Sequence, residues 1–160
     1  MAASKSVINV AALCGSLRSA SFNRGLIRYA MKLSKEAIEG MEIEYVDISP
    51  LPLLNTDLIV GGKFPPAVEA FGQQILKADG LLFATAENNF SVSGVFLDLH
   101  YVNKPHFNVN AFQPPPKFDS DGNLIDEATM ESLKQVLQAL RTFTLRLQPK
   151  YITSFHSFKL

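Results

Sequence analysis

Cys14-Gly15-Ser16-Leu17-Arg18-Ser19-Ala20-Ser21-Phe22-Asn23 follows a run that is apolar from Val7 to Leu13 except at Asn9. It precedes an amphipathic pattern made by Phe22, Leu26, Ile27, Ala30 and Leu33. The change of period reads as a strand, a tight polar loop and a helix. A loop in that place turns several backbone N–H groups and the positive end of a helix dipole toward one point. Ser16, Ser21 and Asn23 add side-chain donors, and Arg18 adds a full charge. The expected occupant is a phosphate group. A strand–helix turn with a serine N-cap is the plainer reading, but a cap alone needs fewer hydroxyl, amide and guanidinium groups than this stretch carries.

Outward from that loop the chain alternates. The first helix is expected from about Phe22 to Ile38, with Gly40 as its stop. Met41–Ile48 reads as an edge strand, because Glu42, Glu44 and Asp47 turn one side to water. Ser49 to Phe64 is a long connection, stiffened by Pro50 and Pro52, with a turn at Gly61-Gly62. Pro65-Pro66 opens a second helix with Val68, Phe71, Ile75 and Ala78 on one face. Gly80–Thr85 reads as a second buried strand. This βαβαβ order implies parallel strands with helices on both faces, that is, an α/β three-layer sandwich. In a flavodoxin-like sheet Val7–Leu13 and Gly80–Thr85 are central, and the loops 14–23 and 85–91 meet at the switch point where ligands bind.

The second half is less regular. Gly94 to Asn103 fits a short helix or a strand, and Phe107, Val109 and Ala111 alternate as a last, fourth strand. Asp119-Ser120-Asp121-Gly122-Asn123 is a turn cluster. A final helix is expected from Glu127 to Leu147, N-capped by Asp126, with Met130, Leu133, Leu137, Leu140 and Leu147 inside. That stripe is most simply core; a subunit contact, and with it a homo-oligomer, stays open.

Gly15-Ser16-Leu17-Arg18 with Ser21, Phe22 and Asn23 resembles the phosphate loop of the NAD(P)H-dependent FMN reductases. This group includes plant NAD(P)H:quinone reductases and bacterial chromate/quinone reductases. The likeness runs from about Val7 to Gln148. It implies a flavodoxin-like fold and an oxidoreductase that passes hydride from NAD(P)H through FMN to a quinone or similar acceptor. It also implies that Ser16, Leu17, Arg18, Ser21, Phe22 and Asn23 hold the FMN phosphate. Thr85-Ala86-Glu87-Asn88-Asn89 resembles the family's Ser/Thr-Pro-Glu-Tyr-Asn, which lines the flavin ring, so Glu87, Asn88 and Asn89 are expected to border it. Here Ala86 replaces proline and Asn88 replaces tyrosine. The lost aromatic contact is worth about 0.5–1.5 kcal/mol beyond area burial. No side chain need act as acid or base, and no catalytic residue is assigned.

The larger departure follows Ser93. Family members continue there into a helix, a strand and a glycine-rich flavin loop before a segment like Gly94-Val95-Phe96-Leu97-Asp98-Leu99. About thirty residues, the size of one βα unit, are absent. The expectation is a domain over 1–150 shortened to about four strands, with an unstructured tail at 151–160. Without the third loop, exposing about 100 Å² of flavin ring costs about 2.5 kcal/mol, more than tenfold in affinity. The alternative function is therefore an impaired isoform that binds FMN weakly and acts, if at all, through full-length subunits.

Composition excludes several other classes. The chain has 160 residues, 47% of them hydrophobic, which suits one domain. Its 15 basic and 15 acidic residues cancel, so no nucleic-acid partner is indicated. One cysteine fits a reducing compartment. The first residues have no apolar signal core, and no run is long enough to span a membrane. The ending Phe158-Lys159-Leu160 only loosely resembles a peroxisomal signal, so a cytoplasmic location is expected. Arg18 stands too close to Cys14 for a Cys-x5-Arg phosphatase loop. Asp119, Asp121 and Asn123 open like a calcium loop, but Gly122 comes too early and position twelve is Met130. His100, His106 and His156 lack metal-like spacing, and no G-x-G-x-x-G occurs. No metal is assigned.

Overall fold

A computed structural model describes residues 7–53, 55–86, 104–105 and 107–148. The segment 94–103, the junction at Ser93 and the tail 151–160 lie outside the described residues.

Among the described residues three strands and three α-helices alternate: β1 (Ile8–Cys14), α1 (Phe22–Glu36), β2 (Met41–Tyr45), α2 (Pro66–Ile75), β3 (Gly80–Ala84) and α3 (Glu127–Leu147). The strands form one parallel sheet in the order β2-β1-β3. β1 pairs with β2 from Ile8↔Met41 to Ala12↔Tyr45, and with β3 from Val10↔Gly80 to Cys14↔Ala84. Every residue of β1 except Asn9 is buried, as a strand covered on both faces requires. In β2 the exposed Glu42 and Glu44 alternate with buried Met41 and Ile43, so it is the edge strand its pattern announces. β3 also stands at an edge among the described residues, whereas a central place was expected for it.

Helices cover both sheet faces. On one, α1 and α3 close over a core that includes Ile8, Val10, Ile27, Leu33, Leu133 and Leu137. On the other, Ala11, Leu13 and Val46 meet Phe71, Ile75 and Ala78 of the α2 segment. The predicted fourth strand does not form. Phe107, Val109 and Ala111 pack against the first core, but their backbone is irregular. At Asn110 the alternation ends in a local turn: its Oδ1 accepts from the N–H of Phe112 at 3.3 Å and its carbonyl from the N–H of Gln113 at 3.4 Å. A local turn of this kind competes with a sheet ladder.

α3 has the predicted bounds, and Asp126 caps it by accepting from the N–H of Thr129 at 2.8 Å. Its inner stripe differs at the end. Thr144 is buried and Leu147 is 56% exposed. Thr144 sits against Gly80, the first residue of β3, where an added Cβ would come within 3.1 Å of the threonine hydroxyl. Leu147, one turn further on, has passed the start of the strand. With Leu133 and Leu137 buried inside the chain, the stripe serves as core.

The 119–123 cluster is a closed turn. One Asp119 carboxylate oxygen accepts from the N–H groups of Asp121 at 2.9 Å and Asn123 at 2.8 Å, and the other from the Asn123 amide at 3.0 Å. Phe118 and Leu124 bridge behind it. The Asn123 side-chain amide, with the Asn123 and Asp121 N–H groups, holds the Asp119 carboxyl below its ordinary value of 3.8.

Two outcomes are expected. Leu137→Ala removes a fully buried side chain and should cost about 2–5 kcal/mol by urea denaturation, against less than about 0.5 kcal/mol for Leu147→Ala. A depressed carboxylate stabilises the fold above its unfolded pKa of about 3.9, and that contribution is lost as pH falls through the folded value. The gap in denaturation midpoint between the wild type and Asp119→Ala should therefore shrink as pH is lowered from about 6 to about 3.

Candidate functional site

The site begins where β1 ends. The N–H of Gly15 donates to the carbonyl of Ala84 at 2.8 Å, extending the β1–β3 ladder into the loop. A Cβ on Gly15 would stand 2.9 Å from the Thr85 hydroxyl, so glycine permits the two loops to touch. Ser16 is half-buried, while Leu17 and Arg18 are exposed. The chain then turns back, with the N–H of Ser21 donating to the carbonyl of Arg18 at 3.2 Å.

Ser21 is the N-cap of α1 by backbone conformation, with φ −69° and ψ 137°, but its side chain makes no capping bond. The first intrahelical bond is from the N–H of Gly25 to the carbonyl of Ser21 at 2.9 Å. By helix geometry the N–H groups of Phe22, Asn23 and Arg24 have no partner within the helix. No acidic residue lies in the first turn to offset the dipole. An uncapped positive end next to an exposed arginine fits a phosphate. Arg24 is committed elsewhere: its guanidinium lies 5.0 Å from the centre of the Tyr45 ring at the end of β2. Arg18 is thus the cation of the loop itself.

Ser16, Leu17, Arg18, Ser21, Phe22 and Asn23 are brought together as one turn. Within it, Phe22 turns its ring inward. It stacks on Phe118 at 4.5 Å between ring centres and meets Phe112 edge-on at 6.1 Å. Its ring anchors the helix start against these two rings. Cys14 is free and 1% exposed, as a small buried side chain beneath the loop. Glu87, Asn88 and Asn89 lie outside the described residues.

Sequence reasoning missed the back of the loop. The Asp119–Asn123 turn packs directly on it: a Cβ at Gly122 (φ +75°) would collide with the Ala20 carbonyl, and one at Gly25 with the Gly122 carbonyl. Arg28 donates to the Ser19 carbonyl at 3.2 Å, the Asp121 carbonyl at 3.2 Å and Asn123 Oδ1 at 2.8 Å. The one sequence signal was the Asp-x-Asp-Gly-Asn turn chemistry, which specifies a turn but not where it docks.

Residues 8–148 match the NADPH-dependent FMN reductase family. The chain is 51% identical over 189 aligned positions to the NADPH:quinone oxidoreductase of Arabidopsis thaliana, covering 91% of this chain and 96% of that protein. It is 47% identical to the NAD(P)H:quinone oxidoreductase of Solanum tuberosum over 191 positions, covering 92% and 98%. It is 30% identical to the quinone reductase of Escherichia coli K12 over 188 positions, covering 88% and 97%. The covered 91% of this chain is about 146 residues, so about 43 of the 189 aligned positions have no residue here. Among the described residues no helix is long and apolar enough to cross a membrane. The match over residues 8–148, the identities across nearly the whole of the relatives, and the parallel sheet lead to one assignment: the chain belongs to the NADPH-dependent FMN reductase family.

Proposed function

We propose that the protein is an FMN-dependent NAD(P)H:quinone oxidoreductase whose first loop holds the FMN phosphate. The observation that carries the reading is the α1 N-terminus, which has neither a side-chain cap nor an acid in its first turn and lies beside Arg18. When bound, FMN supplies the chemistry of accepting hydride and passing electrons to a quinone. The chain's own residues bind and orient. The N–H groups of Phe22 and Asn23 would face phosphate oxygens, with Ser16, Ser21 and the Asn23 side chain as further donors. Arg18 would supply charge-assisted bonds, and Leu17 would border the phosphate. Glu87, Asn88 and Asn89 would border the ring. The relatives named as quinone oxidoreductases or reductases support a quinone acceptor.

A second reading, a shortened isoform with weakened flavin affinity, is favoured by the aligned positions that this chain lacks. Titrating the apo-protein with FMN while following quinone-dependent NAD(P)H oxidation separates the two. Sub-micromolar binding with turnover supports the first; weak binding with activity only in excess FMN supports the second. No FMN binding and no activity would remove the first reading. In either FMN-binding case Arg18→Ala should weaken FMN about tenfold to a hundredfold, the worth of a hydrogen bond to a charged group. Cys14→Ala should change it less. Equal losses would argue against a phosphate in this loop.

A further inference from the structure

We infer that Arg28 is a positioning residue that holds the first loop in its anion-receiving shape by tying Ser19 to the Asp119–Asn123 turn. The inference rests on the reading of that loop as the FMN phosphate site. Arg28 lies in the second turn of α1, outside the loop, and is exposed. Its two terminal nitrogens serve different segments. One donates to the Ser19 carbonyl, and the other to the Asp121 carbonyl and Asn123 Oδ1. The last two partners are 93 and 95 residues away in sequence, so one guanidinium joins the start of the chain to its final third.

The surrounding contacts show why a clamp is needed there. Ser19 and Ala20 are exposed, and the loop's own backbone bond is the 3.2 Å link from Ser21 to Arg18. Two glycines, Gly25 and Gly122, let the turn approach α1 and the Ala20 carbonyl closely. The turn is rigid in itself, because Asp119 accepts three bonds from Asp121 and Asn123. Arg28 transfers that rigidity to Ser19. Its partners are two carbonyls and an amide oxygen, a geometry that suits a planar fork with donors on separate nitrogens. A lysine ammonium presents its donors from one point and cannot span the two segments.

The test uses the full chain and the variants Arg28→Ala, Arg28→Lys and Asn123→Ala, with Lys32→Ala as a control on the same exposed helix surface. The first readout is limited trypsin digestion followed by mass spectrometry. Cleavage at the Arg18–Ser19 bond should accelerate several-fold in both Arg28 variants and less in Asn123→Ala, while cleavage after other basic residues is unchanged. The second readout is affinity for FMN against riboflavin, which has the same ring and no phosphate. Arg28→Ala and Arg28→Lys should weaken FMN by about tenfold and leave riboflavin unchanged. A general loss of structure would instead weaken both flavins equally and speed cleavage everywhere, and that result overturns the inference. Unchanged cleavage after Arg18 also overturns it, as does full retention by Arg28→Lys. If the wild type binds no FMN, the reading of the loop as a flavin phosphate site fails, and the digestion alone decides whether Arg28 holds the loop.

Discussion

The hydrogen bond from the N–H of Gly15 to the carbonyl of Ala84 fixes the geometry on which the site depends. It continues the parallel register Cys14↔Ala84 one step beyond the strand, so β1 and β3 deliver their following loops to the same place. Parallel strands make this possible because their C-terminal ends lie side by side, each feeding a loop that crosses the edge of the sheet. Gly15 is required because the Thr85 side chain occupies the space a Cβ would need. From that contact the chain turns into α1, which has no side-chain cap at its buried N-cap Ser21 and whose Ile27, Ala30 and Leu33 are buried in the core.

Much of this was legible in the residues. The apolar run of β1, the alternation of Glu42 and Glu44, and the 3.6-residue stripes of α1 and α3 each report which faces are buried, and burial is what periodicity records. The bounds of α3 followed from Asp126, whose capping chemistry is local. Long-range choices were less visible. Phe107, Val109 and Ala111 alternate as a strand would, and their side chains do reach the core, yet Asn110 diverts the backbone into a turn. Leu147 continues a helical stripe that has run out of sheet to cover, and Thr144 takes the inward place because Gly80 leaves room for it.

The candidate site divides in the same way. The place of Ser16, Arg18, Ser21 and Asn23, between the end of β1 and the first turn of α1, is where the change of period puts them. The ring of Phe22 was assigned with them, but its stacking on Phe118 gives that side chain a supporting place behind the loop. Arg28 was invisible: on the sequence it is one more charge on the outer face of an amphipathic helix. Only the docking of the 119–123 turn brings the Asp121 carbonyl and Asn123 Oδ1 to that exposed guanidinium.

The docking of Gly122 against Ala20 and Gly25 also bears on when the loop acquires its form as the chain is made. The β1, β2 and β3 segments emerge from the ribosome within the first 84 residues and have their pairing partners among themselves. The brace behind the loop does not exist until residues 119–123 have followed, and closing a contact across about a hundred residues is a late, entropically costly step. The end of the molecule that carries the first loop is thus the part of the fold that the C-terminal third completes.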